Sequence, residues 1–214
     1  MSKLKVSVSV LNGDLTNISE TAEKIERSGA DMLHFDVMDG LFVDNISFGA
    51  PVLNAFHKIS KLFTDVHLMI VNPFKYIEQF AGAGADMITF HIESASDPAE
   101  TIEKIHAHGL SAGLAVSPKT PVAEVFPFLN MLESVLVMSV EPGFGGQAFI
   151  AESLGKIKLL KEHTPNISVQ VDGGITLATA KMAVNAGADN LVSGSYLLKC
   201  GDMKSAVGQM QNLI

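Results

Sequence analysis

His34-Phe35-Asp36-Val37-Met38-Asp39-Gly40 is the stretch with the greatest capacity for chemistry in this 214-residue chain. It reads as a strand that ends in a turn. Strand side chains alternate between faces, so His34, Asp36 and Met38 point one way. An imidazole and a carboxylate two residues apart on one face can share a metal ion. The plainer alternative is a polar strand end standing in water. Two further stretches favour the shared site. Asp65-Val66-His67-Leu68-Met69 and Val171-Asp172-Gly173-Gly174 also read as strand ends, and each adds one potential ligand.

Something must bring these strand ends to one place. Strands are expected at Lys5–Leu11, Met32–Val37, Phe63–Leu68, Met87–His91, Leu110–Val116, Ser134–Val140, Ser168–Val171 and Asn190–Ser193. Helices are expected between them: from Thr16 or Asn17 to about Ser28, then Val52–Lys58, Pro73–Ala83, Pro98–His108, Val122–Leu129, Ala151–His163 and Leu177–Ala186, and Met203–Leu213 closes the chain. One unit recurs. Gly29-Ala30-Asp31, Gly84-Ala85-Asp86 and Gly187-Ala188-Asp189 each follow a helical pattern and feed an apolar strand. A glycine stop and a short turn before a buried parallel strand account for the recurrence. Eight apolar strands alternating with helices over this length imply an α/β protein with the (β/α)8 TIM-barrel architecture, a doubly wound sheet being the alternative. No linker or composition break divides the chain, so residues 1–214 form one expected domain.

In such a barrel the site lies at the C-terminal ends of the strands. Ser9, His34, Asp36, His67, His91, Met138 and Asp172 all fall on that rim. Two histidines and two aspartates converging there suit a divalent ion such as zinc, iron(II) or manganese. Two carboxylates can also serve opposite sides of a bound substrate, one removing a proton from carbon and the other returning one. A metal that polarises the neighbouring carbonyl would stabilise the enediolate between those steps. That chemistry is epimerisation next to a ketone. Met38, Met69 and Met138 read first as core filling, with room for a role lining the enediolate. Glu141-Pro142-Gly143-Phe144-Gly145-Gly146-Gln147, Asp172-Gly173-Gly174 and Ser193-Gly194-Ser195 follow three neighbouring strands. Glycine-dense loops of this kind can aim backbone N–H groups at a phosphate.

The remaining polar residues have simpler readings. His57, His106, His108 and His163 fall on helices or helix ends and are expected in solvent. His91 reads as a satisfied polar neighbour of the pocket, and Asp39 and Asp65 as turn residues or supports behind the ligands. The single cysteine, Cys200, excludes an intrachain disulfide and reads as a small, at least partly buried residue. The formal net charge of −8 argues against a nucleic-acid partner, although local N–H groups can still bind phosphate. The stretch to Leu11 alternates like a strand, and no long apolar run suggests a signal peptide or membrane span, so a cytoplasmic protein with no membrane partner is expected.

Taken together, Ser7-Val8-Ser9-Val10-Leu11, His34 to Gly40, Asp65 to Met69, Val137 to Gln147, Val171 to Gly174 and Ser193 to Ser195 resemble the ribulose-phosphate 3-epimerase family nearly end to end. The resemblance implies one divalent metal per chain at His34, Asp36, His67 and Asp172, with zinc first and iron(II), manganese or cobalt as alternatives. It implies Asp36 as proton acceptor and Asp172 as proton donor, with roles exchanged in reverse. Ser9 and His67 would touch the sugar. Gly143, Phe144, Gly145, Gly146, Gly173, Gly174, Gly194 and Ser195 would hold the phosphate end. The implied reaction interconverts D-ribulose 5-phosphate and D-xylulose 5-phosphate, in a homo-oligomer whose partner is a small phosphorylated ketose.

Two departures bear on this expectation. Leu41-Phe42-Val43-Asp44-Asn45 stands where the family usually has His-Phe-Val-Pro-Asn, and Val8 stands where proline is usual. Both spare the ligands and touch loops that shape the mouth or a subunit contact. Related enzymes acting on allulose 6-phosphate share the ligands and are a second reading. A sugar-phosphate-binding barrel without turnover is a third. Decarboxylases of phosphorylated substrates place Asp-x-Lys-x-x-Asp on the third strand. Here that stretch is Asp65-Val66-His67-Leu68-Met69-Ile70, without the lysine or the second aspartate.

Overall fold

The computed structural model describes residues 4–213; positions 1–3 and 214, which the sequence reading includes in its single domain, lie outside the described residues. Eight strands form the centre: β1 Lys5–Ser9, β2 Met32–Met38, β3 Phe63–Met69, β4 Met87–His91, β5 Ser111–Val116, β6 Ser134–Met138, β7 Ser168–Asp172 and β8 Asn190–Ser193. Each pairs in parallel with the next, and β8 pairs back onto β1, so the sheet is a closed (β/α)8 barrel. The helices are α1 Ile18–Arg27, α2 Ala50–Ile59, α3 Ile77–Ala83, α4 Pro98–Ala107, α5 Ser153–His163, α6 Leu177–Ala186, α7 Ser195–Lys199 and α8 Met203–Gln211.

Strand alternation sorts the side chains into two environments. On β2, Leu33, Phe35 and Val37 join the large apolar layer beneath the helices, where Leu53, Phe56, Ile77 and Ile102 also pack. The alternate residues His34, Asp36 and Met38 therefore point into the barrel. The interior has two halves. Ser7, Ser9, His34, Asp36, Asp65, His67, Thr89 and His91, from β1 to β4, are buried and polar. Ala115, Leu136, Met138, Val140 and Val192, from β5, β6 and β8 or just beyond, form a separate apolar cluster.

Several boundaries differ from the sequence reading. The first strand stops at Ser9 rather than Leu11, because the Gly13 N–H turns back to the Val10 carbonyl at 2.8 Å. The sixth stops at Met138, where the Ser139 N–H and hydroxyl both donate to the Asp172 carbonyl. The expected helix at Val122–Leu129 is instead a run of 3-10 turns over Val122–Met131 with Pro127 inside it. A proline there has no N–H for the helical ladder and crowds the preceding turn.

The Gly-Ala-Asp repeat has a shared mechanical role. The Asp31 N–H donates to the Val6 carbonyl while its carboxylate accepts from the Val6 N–H. Asp86 does the same to Thr64, and Asp189 to Val169. Glu133 repeats the arrangement on Ala112, although its sequence lacks the Gly-Ala-Asp letters. Each of β2, β4, β6 and β8 thus enters the barrel through an acid clamped to the strand before it. These clamps tie off backbone groups where the ladder begins.

Replacing Asp86 with alanine should leave the Thr64 N–H, bonded at 2.8 Å, without its acceptor. A loss of about 1–3 kcal/mol is expected in urea unfolding, and less for Asp86→Asn, whose amide oxygen can still accept. Equal stability of the two variants would show that the clamp contributes nothing specific.

Candidate active site

The rim is built from strand ends whose register places them side by side. Asp36 on β2 pairs with His67 on β3, and Met38 with Met69. Met138 on β6 pairs with Asp172 on β7. Asp36 and Asp172 therefore reach the rim from strands separated by β1 and β8. One donor atom each from His34, Asp36, His67 and Asp172 lies within 4.8 Å of the others.

Hydrogen bonds behind these residues fix which atoms face one another. Asp65 is fully buried and accepts from His34 Nδ1 at 3.0 Å, Gln170 Nε2 at 2.9 Å and Thr89 Oγ1 at 2.8 Å. With its Nδ1 proton committed to Asp65, a neutral His34 carries its lone pair on Nε2. That atom is buried, has no hydrogen-bond partner and lies 3.3 Å from Asp36 Oδ1. Its distance suits an ion pair, but its alignment does not suit a hydrogen bond. His67 Nδ1 lies 3.0 Å from the same Asp36 oxygen. The other Asp36 oxygen accepts from Ser9 Oγ at 2.6 Å.

The local electrostatics follow from this crowding. Burial opposes a charge on His34, but the Asp36 and Asp65 carboxylates outweigh it and hold its pKa well above 6.5. Burial would raise Asp36; the adjoining His34 and His67 overcome this and keep it below the usual carboxylate range. His67 is lowered to about 4, chiefly by burial. Asp172 is pushed up to about 7 by burial and then by the Asp36 charge. Together these groups favour a positive charge among them. A divalent ion can take over that role, because the orphaned His34 Nε2, His67 Nδ1 and two carboxylates offer the nitrogen and oxygen donors such ions accept.

The donor group borders a cavity of about 720 Å³. Asp36 and Asp172 line it, as do Ser9, Met38, Met69 and Met138. The methionines are also almost wholly buried, so core filling and cavity lining are the same fact here. His34 and His67 are fully enclosed and are not part of the cavity wall, although the resemblance implied that His67 would touch the sugar. Gly143, Phe144, Gly145, Gly146, Gly173, Gly174, Gly194 and Ser195 line the same cavity. Their loops are braced from below. Ser139 Oγ donates to the Gly173 carbonyl at 2.7 Å, Asn45 Nδ2 to the Gly143 carbonyl at 2.7 Å, and Gln147 Nε2 to the Phe144 carbonyl at 2.8 Å.

Asn12 is a pocket residue that the sequence reading did not single out. Its Nδ2 donates to Ser195 Oγ at 2.7 Å, and a Cβ on Gly145 would lie 2.1 Å from that nitrogen. The absence of a side chain at Gly145 is what lets Asn12 sit between the two loops. Its position just beyond β1 was the available signal. His57, His106, His108 and His163 are exposed, as expected. Asp39 accepts from the N–H groups of Leu41 and Phe42 within its own turn, and from the Val71 N–H beyond β3. Cys200 is half-buried, and its thiol donates to the Leu197 carbonyl.

Residues 5–198 match the model of the ribulose-phosphate 3 epimerase family. The chain is 41% identical to the cytoplasmic isoform of ribulose-phosphate 3-epimerase from Oryza sativa subsp. japonica, covering 98% of this chain and 94% of the relative. It is 39% identical to ribulose-phosphate 3-epimerase from Bacillus subtilis, over 97% of this chain and 98% of that one. Among solved structures, 3-hexulose-6-phosphate synthase from Salmonella typhimurium superposes with a TM-score of 0.74 at 15% identity, covering 98% of each chain. Orotidine 5'-phosphate decarboxylase from Pyrococcus horikoshii gives 0.70 at 13% identity, again over 98% of each. At such identities these two structures share the fold alone.

Asp65→Ala should leave three buried donors facing an empty site and cost about 3–5 kcal/mol in urea unfolding. Asp65→Asn should cost less. Its oxygen can still accept from His34 and Gln170, while the Thr89 hydroxyl turns to accept from the new amide. Similar losses for both variants would mean that volume, not hydrogen bonding, is what Asp65 supplies.

Proposed function

The chain belongs to the ribulose-phosphate 3-epimerase family, and we propose that it interconverts D-ribulose 5-phosphate and D-xylulose 5-phosphate by proton transfer between two carboxylates. One observation carries this reading. Asp36 and Asp172 come from separated strands, meet within one four-residue donor group, and both stand in the cavity wall.

In this reading the far end of the cavity holds the phosphate through the backbone N–H groups of Gly143 to Gly146, Gly173, Gly174, Gly194 and Ser195. That places the carbon next to the ketone between the two aspartates. Asp36 takes the C3 proton from one side, held in place by the Ser9 hydroxyl. Asp172 returns a proton from the other side, and the roles exchange in the reverse direction. His34, Asp36, His67 and Asp172 would hold one divalent ion, zinc first, which when bound polarises the ketone and stabilises the charge of the enediolate. The methionine walls offer no competing acid, so a proton on the planar intermediate comes from one of the two carboxylates.

The same reading places the protein in the cytoplasm, as the name of the rice relative does for that protein, and as a homo-oligomer without a nucleic-acid partner. What supports it is the net charge of −8 and the exposure of Leu41 and Ile46 on the loop after β2. No helix among the described residues is long and apolar enough to cross a membrane.

A coupled assay should detect turnover of ribulose 5-phosphate in preference to allulose 6-phosphate. Elemental analysis should find about one divalent ion per chain, and its removal by chelation should abolish turnover. Full activity in rigorously metal-free protein would remove the ion from the mechanism, and no turnover of either sugar would leave a binding protein. A sharper experiment addresses the two carboxylates. Asp172→Asn should lower epimerisation by roughly 10²–10⁴-fold. Exchange of the C3 proton with heavy water, begun from the isomer that Asp36 deprotonates, should survive better. Equal loss of both rates, with ion content and substrate affinity intact, would mean that one group serves both faces.

A further inference from the structure

In the loop Gly143-Phe144-Gly145-Gly146, two of the glycines are dictated by the backbone and one is not. Gly143 and Gly146 have φ of 127° and 78°, in the left-handed region that side chains rarely enter. Gly145 has no positive φ, so its own backbone does not require glycine. The obstacle to a side chain there is a neighbour. A Cβ on Gly145 would meet the Asn12 amide, whose Nδ2, Cγ and Oδ1 are the nearest atoms to it. Gly145 thus leaves room for a residue that belongs to another loop.

Asn12 reaches that place from the short turn after β1. The Gly13 N–H closes the turn onto the Val10 carbonyl, and the Leu11 N–H donates to Ser9 Oγ at 3.2 Å. β1 pairs with β8, and a Cβ on Gly194 would come within 3.1 Å of the Ser9 Cβ. That close approach sets the turn beside Ser195. Asn12 Nδ2 donates to Ser195 Oγ at 2.7 Å. An amide nitrogen is a donor only, so the Ser195 oxygen accepts this bond and keeps its own proton for another acceptor. No acceptor among the described residues takes that proton. Asn12, Gly145 and Ser195 all line the cavity.

We propose that Asn12 is a positioning residue for the phosphate group: its amide, seated against Gly145, fixes the Ser195 oxygen so that the Ser195 hydroxyl donates to a phosphate oxygen. This inference rests on the reading of the cavity as a ketose-phosphate site. It adds to the backbone N–H groups a side-chain donor with its own support. The support comes from a loop that makes no phosphate contact in that reading. The Asn12–Ser195 bond is exposed, so water can replace it and it contributes little to folding. Its effect is on the placement of one hydroxyl.

The test measures calorimetric affinity for ethyl phosphate, a phosphate monoester with no ketone, beside kcat and KM for D-ribulose 5-phosphate. Ser195→Ala should weaken ethyl phosphate binding roughly 10–100-fold, as the loss of a hydrogen bond to a charged group does. Asn12→Ala should weaken it roughly 3–10-fold and raise KM by a similar factor, with kcat changed less and the urea midpoint unmoved. In the Ser195→Ala background, Asn12→Ala should cause no further loss. Gly145→Ala should match Asn12→Ala by pushing the amide off Ser195, and the double variant should bind no more weakly than Asn12→Ala alone. Additive losses in either pair, or an unchanged affinity in Asn12→Ala, overturn the proposal. So does a lowered urea midpoint in Asn12→Ala with kcat and KM affected alike, which marks a merely structural residue. If wild type binds ethyl phosphate but does not turn over the sugar, the epimerase reading fails, and the affinity comparisons still decide the role of Asn12. If wild type binds no ethyl phosphate, the proposal falls.

Discussion

One carboxylate oxygen organises the site. Asp36 Oδ1 has His34 Nε2 at 3.3 Å and His67 Nδ1 at 3.0 Å, with both rings fully buried behind the cavity wall. A carboxylate oxygen this close to two ring nitrogens favours a proton or another positive charge among them. Burial opposes a charge on His34, yet the Asp36 and Asp65 carboxylates hold its pKa well above the usual imidazole range. The arrangement is therefore unfinished as a set of neutral groups. The polar half of the barrel interior can be understood as the support that keeps it so. Asp65 turns His34 toward Asp36, Ser9 takes the second Asp36 oxygen, and Thr89 and Gln170 steady Asp65.

A barrel suits this burden because it keeps buried polar groups on rigid, fully hydrogen-bonded strands. The apolar half of the interior, around Leu136, Met138 and Val192, packs normally. The helices cover the other strand faces with a continuous hydrophobic layer. Burying this many polar groups is costly unless each has a partner. Among the described residues, Gln170 Oε1 and Ser94 Oγ are the only buried side-chain atoms besides His34 Nε2 that lack one.

Much of this was legible in the sequence, and the reason is periodicity. Polar residues two apart on a strand announce a shared face, which is how His34 with Asp36 stood out. The three Gly-Ala-Asp copies exposed the helix-to-strand turns, since each needs the same local backbone. What the sequence concealed were relations between strands. Glu133 performs the clamp of Asp31, Asp86 and Asp189 but follows Leu129-Asn130-Met131-Leu132, which carries none of the repeated letters. His91 read as a satisfied neighbour, and it is one. Its partners, His67 on β3 and Glu93 just beyond β4, depend on the β3–β4 register, which local spacing does not express. Asn12 acts at a meeting of loops after β1, β6 and β8, and no pattern within one loop reveals such a meeting.

Closure of the sheet also has a bearing on how the protein is made. The last ladder joins β8 to β1, and there Ser7 Oγ bonds Asn190 Oδ1 at 2.9 Å across 183 positions of sequence. During synthesis from the N-terminus, β1 waits for its second partner until nearly the whole chain has left the ribosome. For that interval it presents an unpaired edge, as does whichever strand has just emerged. Open edges of apolar strands recruit other chains. The finished barrel has no edge to offer, but the nascent one always has two. Quality control of this protein is therefore most consequential in the time before β8 arrives.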